Sequence, residues 1–177
     1  KEGTGQVVVD FTPEPLTQDV SFVFHIEKTA DVVVDSLTAE ISGIPSTMEL
    51  TTGLILAQKT YKLLFRPTYA ALPSAADSAS AEALRCEASV NIPGIVRSHT
   101  EDMVTGPGIL QIAIYTHYDY EEEGTQRKAA KVFHAGINLY HTLKERKSLQ
   151  WDEEENGYRQ ASRSITVEIG SPLNIDK

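Results

Sequence analysis

Apolar and polar side chains alternate over much of the chain, the pattern of strands that bury one face and wet the other. Leu84, Cys86, Ala88, Val90 and Ile92 share one parity, while Arg85, Glu87, Ser89 and Asn91 take the other. The same spacing sets Val20, Phe22, Phe24 and Ile26 against Ser21, His25 and Glu27. It recurs where Ile165, Val167 and Ile169 alternate with Thr166 and Glu168. Further strands are predicted at Gln6–Phe11, Asp31–Ser42, Thr60–Arg66, Ile109–Tyr120 and Lys131–Ile137, about eight in all. A one-residue slip would turn each apolar set to solvent, so parity also names the core: Phe22, Phe24, Cys86, Val90, Ile112, Ile114, Ile165 and Val167.

Between Ala30 and Ile41 the apolar phase moves from Val32 and Val34 to Leu37, Ala39 and Ile41, which predicts a bulge or a strand passing between two sheets. Breakers separate the runs at Pro13 and Pro15, Gly43 and Pro45, Pro67, Pro73, Pro93 and Gly94, and Gly106 to Gly108. The Ala- and Ser-rich stretch Pro73–Glu82 reads as a mobile loop, with one helical turn as the alternative. One short helix is expected within Asn138–Lys147, where Leu139, Tyr140 and Leu143 share a face and Lys144, Arg146 and Lys147 suit a C-terminal turn. No repeat is visible, so the short strands and Gly/Pro turns predict an all-β sandwich.

A length of 177 residues is expected to form a single domain spanning residues 1–177. A chain of this size buries roughly 70% of its extended surface and needs no metal or disulfide to build a core. With 16 basic and 25 acidic residues the formal charge is −9, which argues against a nucleic-acid partner, whose phosphates require a clustered basic face. Cys86 is the only cysteine, so no intrachain disulfide forms. The sequence opens at Lys1 with no initiator Met, no signal-like stretch and no apolar run near the ~20 residues of a membrane helix. It is therefore expected to be a mature or excised piece of a longer protein.

Candidate chemistry is sparse. There is no Gly-rich phosphate loop, no HExxH, no paired CxxC and no Gly-x-Ser-x-Gly elbow. Cys86 falls on the apolar side of its strand, where burial raises the thiol pKa, and is read as core rather than nucleophile. His117 and Asp119 share a strand face with His134 on a neighbouring strand, a zinc-like set whose register is unfixed; it is read as solvated polar surface. The acidic runs Glu121–Glu123 and Asp152–Glu155 lack the alternating ligand spacing of a calcium loop and are read as solvated turns. No catalytic, cofactor or metal residues are assigned. Tyr115, Trp151 and Tyr158 are the candidate ligand contacts, since exposed aromatic rings can stack on sugars. Tyr118 shares the parity of Leu110, Ile112 and Ile114 and is assigned to the core.

Three segments resemble the C-terminal domain of fimbrillin-like proteins of Bacteroidetes, the lipoproteins that serve as fimbrial anchor, tip or accessory subunits. They are Val33–Pro45, a strand running into a Ser-Gly turn; Ile109–Tyr120 followed by Lys131–Leu143, with an Ile-Asn-Leu run into a helical turn; and the closing Ile165–Ile175. The resemblance implies a transthyretin-like, Greek-key β-sandwich, one domain of a surface protein whose precursor is lipid-anchored or exported. It implies location at the cell surface or outer membrane, with other fimbrial or surface subunits as partners. This chain departs from that plan in having neither a lipoprotein signal nor a lipid-bearing cysteine.

The expected function is therefore a non-enzymatic module of cell adhesion or fimbrial assembly. The competing expectation is a glycan- or ligand-binding sandwich using Tyr115, Trp151 and Tyr158, its target a host or bacterial surface glycan or protein. A glycosidase would need two carboxylates about 5 to 9 Å apart in a cleft, which sequence alone does not pair.

Overall fold

The computed structural model describes residues 15–72, 81–152, 157–160 and 163–176. The predicted strand Gln6–Phe11 and residues 73–80 of the predicted loop lie outside the described residues. In chain order the elements are β1 (Gln18–Thr29), β2 (Val32–Met48), β3 (Ile55–Phe65), β4 (Thr68–Ala71), β5 (Ala81–Ile92), β6 (Ile109–Glu122), β7 (Thr125–Asn138), α1 (Leu139–Glu145), β8 (Leu149–Asp152), β9 (Gly157–Gln160), β10 (Ser164–Glu168) and β11 (Leu173–Ile175). They form two sheets, neither closed into a barrel. The smaller runs β10-β1-β5-β4 with β11 also on β1; the larger runs β7-β6-β2-β3-β9-β8.

Alternation selects the faces that meet between the sheets. Val20, Phe22, Phe24 and Ile26 of β1 are buried and contribute to one hydrophobic cluster with Leu110, Ile112 and Ile114 of β6. Six of the eight core residues named from parity are buried. Val90 and Ile165 are only half-buried. They are the outer members of the row Ile165–Val20–Val90, and β4 pairs only Leu84 to Glu87, so at Val90 the sheet has ended. Tyr118 packs against the cluster as its parity required.

The phase shift in β2 is a bulge. Pairing with β6 slips between Val34 and Ser36, which keeps Val32 and Val34 inward on one side of Asp35 and Leu37, Ala39 and Ile41 inward on the other. The Val34 carbonyl accepts a hydrogen bond from the Tyr69 hydroxyl of β4 at 3.1 Å, a tie between the sheets.

Gly43 and Pro45 do not end the strand as expected. β2 continues to Met48 through two further register shifts against β3, between Ile41 and Ile44 and between Pro45 and Thr47. A bulge tolerates both the left-handed φ of Gly43 (+76°) and a proline without a donor. Pro67, by contrast, marks the crossing from β3 in the larger sheet to β4 in the smaller.

The hairpin of β6 and β7 is longer than predicted, because its loop is only Glu123 and Gly124, both at positive φ (52° and 75°). That geometry matches the twist of paired strands. The arm beyond Tyr118 is exposed on both faces, so no alternation marked it. Four strands were missed: β4, β8, β9 and β11 have three or four residues each, too few to show a period.

Helix α1 starts where expected. The Asn138 side-chain oxygen accepts from the His141 N–H at 3.1 Å, and Leu139, Tyr140 and Leu143 are buried. It ends at Glu145 with Arg146 as its C-cap, and the φ of +55° at Lys147 lets the Ser148 N–H reach the Leu143 carbonyl at 2.9 Å.

Candidate functional site

The residues singled out for chemistry are spread across the fold. Cys86 is fully buried on β5, and burial pushes its thiol up to about 12. Such a thiol is a packing group, since only the thiolate attacks. The hairpin register pairs His117 with Ala130 and His134 with Ala113. The two imidazoles are thus offset by four residues, roughly 14 Å along the strand. His117 instead meets Asp35 at the β2 bulge, Nδ1 to Oδ1 2.7 Å. Among the described residues no group of three or more His, Cys, Asp or Glu side chains is placed to hold a metal ion.

The three candidate ligand contacts sit on strands β6, β8 and β9, of which only β8 and β9 are neighbours. Trp151 and Tyr158 are direct register partners in the β8–β9 pair, but their side chains lie outside the described part of the structure. Tyr115 is on β6, three strand positions from β9 and four from β8, roughly 14 and 19 Å across the ladder. It is exposed on the outer face of the larger sheet, directly opposite Val132. Exposed Val33 and Leu64 lie on the outward parity of β2 and β3 in the same sheet.

What the fold does build on this sheet is a polar cleft that sequence reading did not find. Residues 93–108 cross from β5 to β6 without helix or strand, yet they are held in place. The Val96 N–H donates to the Gly43 carbonyl at 2.8 Å, and the Gly108 N–H donates to the Ser42 carbonyl at 3.0 Å. Ser42 Oγ donates to the carbonyls of Gly106 and Ile109. Asn138 Nδ2 donates to the carbonyls of Thr100 and Glu101 at 2.9 and 3.1 Å, and Ser98 Oγ donates to Asn138 Oδ1 at 3.1 Å.

The approach is close enough to need glycine. A Cβ on Gly43 would stand 2.6 Å from the Gly108 nitrogen, and one on Gly108 would stand 2.8 Å from the Val96 carbonyl. The segment thereby becomes one wall of a cleft of about 510 Å³, whose other wall is β2 and β3. Glu40, Thr60, Tyr61, Lys62, Thr105 and Gln111 line it. Lys62 and Glu40 form an ion pair at 2.7 Å. A second cleft of about 270 Å³ shares Thr105 and Gln111 and reaches His134 and Gly136 on β7.

The visible signal in the sequence was the cluster of glycines and Pro107, read only as a break. Their tertiary partners, Ser42 and Gly43, lie more than sixty positions earlier in the chain.

A third feature is the closing segment. β10 runs parallel to β1, pairing Ser164–Glu168 with Asp19–Val23, and β11 follows it with Leu173–Ile175 against Ile26–Lys28. Val167 and Ile175 are buried in the common core. No described helix is long and apolar enough to cross a membrane. No family model matches the chain, and no match is found among curated proteins or solved structures.

Proposed function

We propose that this chain is a non-enzymatic cell-surface module that joins partner subunits by strand addition, as part of a fimbrial or adhesive assembly. The observation that carries this reading is the parallel docking of β10 and β11 along β1. A segment at one end of the sequence supplies core side chains and an edge strand, while the turn between β1 and β2 and the whole β2–β7 framework lie upstream of it. Backbone hydrogen bonds give such a strand its strength, and alternate side chains, here Val167 and Ile175, fill its pockets. A partner's strand of the same pattern would meet this edge of β1 only by taking the place of β10 and β11.

The surface location and the fimbrillin-like, transthyretin-like assignment rest on the segments Val33–Pro45, Ile109–Leu143 and Ile165–Ile175. The connectivity is in keeping with a Greek key. β2 and β3 pair in the larger sheet, β4 and β5 in the smaller, and β6 returns to lie beside β2.

The test is removal of Ser164–Lys177. Without it the edge of β1 and the apolar row beneath Val167 are uncovered, and the product is expected to aggregate. A synthetic Ser164–Lys177 peptide supplied during refolding is expected to restore a soluble complex. A truncated chain that stays folded and monodisperse would sink the strand-addition reading.

A further inference from the structure

We infer that the cleft between Tyr61 and Gln111 binds a neutral sugar ring, as a unit of a surface glycan. Its volume of about 510 Å³ falls within the ~300–1,000 Å³ of small-molecule sites.

The lining decides the ligand class. Thr60, Thr105 and Gln111 offer hydroxyl and amide groups that both donate and accept, the complement of a ring carrying several hydroxyls. Among the described lining side chains the only charges are Glu40 and Lys62, which pair at 2.7 Å. An anionic ligand would have to draw Lys62 from Glu40 and leave that carboxylate unpaired, on a chain of formal charge −9. An apolar ligand would strip water from these polar groups without replacing their hydrogen bonds. A sugar satisfies both conditions.

Two further features of the fold agree. Connections as long as residues 93–108 without regular structure are uncommon in compact domains and usually carry function. This one is pinned by Ser42, Gly43 and Asn138 in the position that forms the cleft wall. The adjoining cleft, sharing Thr105 and Gln111, provides room for a second ring, so the ligand is an oligosaccharide.

The test is isothermal titration of the whole chain with cellotetraose, maltotetraose and chitotetraose as neutral probes and a heparin tetrasaccharide as the anionic one. At least one neutral probe is expected to bind with a Kd of about 0.1–1 mM. Thr60→Val and Gln111→Ala should each weaken it about tenfold with the thermal midpoint retained, and Thr60→Ser, which keeps the hydroxyl, should retain most of the affinity. Leu50→Ala, at an exposed position outside the cleft, should bind as the parent does. The inference is overturned if no neutral probe binds at about 10 mM, if Gln111→Ala binds unchanged, or if the heparin fragment binds more tightly than all three.

Discussion

Burial of Cys86 makes stability depend on pH in a way that can be worked through. The thiol is fully buried on β5, and its pKa rises from 9.0 to about 12 because the thiolate would lose its hydration. In the unfolded chain it ionises near 9.0, so above that pH the unfolded state binds fewer protons than the native one. Stability is therefore complete below pH 9.0 and is lost as pH rises toward about 12. The loss is about 1.4 kcal/mol per pH unit, or about 4 kcal/mol over the whole interval.

Tyrosines and lysines also titrate in this range, so the informative quantity is the difference between the parent and Cys86→Ala. Urea unfolding of both, at roughly pH 8 and roughly pH 11, should show the parent losing about 2.5 kcal/mol more than the variant. A constant offset from the deleted sulfur cancels in that comparison. The same burial predicts slow chemistry. At roughly pH 8 the thiolate fraction is about a thousandfold below that of an ordinary thiol, so a thiol reagent should label the native protein at least that much more slowly than the unfolded chain. Parallel pH profiles for parent and variant, or native labelling within about tenfold of the unfolded rate, would show that Cys86 is not held in this environment.

Other positions give sharper local tests. Asn138 caps α1 and also holds residues 98–101 through four hydrogen bonds made by its side chain with Ser98, Thr100, Glu101 and His141. Asn138→Ala should cost about 2–3 kcal/mol in denaturant unfolding, while Asn138→Asp, which keeps the acceptor and loses the donor, should cost less. Gly43→Ala should destabilise by about 2 kcal/mol or more, since the new Cβ meets the Gly108 nitrogen at 2.6 Å and φ is +76°; an unchanged midpoint would mean the wall at 105–108 is not seated there. Lys147→Gly should raise stability by about 0.5–1 kcal/mol by relieving the left-handed residue after α1. Val167→Asp should prevent folding, as it buries a carboxylate at a site 1% exposed; a native-like circular dichroism spectrum would show β10 to be dispensable.

The sequence by itself determined what depends on neighbours a few residues apart. Side-chain parity along β1, β5, β6 and β10 is a property of the local backbone, so the buried faces of Phe22, Cys86, Ile112 and Val167 were legible before any partner strand was known. The β2 bulge was legible for the same reason, because an extra residue at Asp35 must shift the apolar phase. The apolar face of α1 follows from helical spacing alone.

Only the tertiary structure decided which strands become neighbours. The parallel pairing of β10 and β11 with β1 joins opposite ends of the described chain, and nothing in either segment names the other. The cleft had the same origin: Ser42 and Gly43, Tyr61 and Lys62, and Thr105 to Gln111 are far apart in sequence and meet only because β2 takes β3 on one side and β6 on the other. The relative placement of the three candidate aromatics had the same origin. Tyr115 was exposed as expected, but strand order carried it away from Trp151 and Tyr158, and strand order is fixed by the free energy of closing long loops over a shared core rather than by any local pattern.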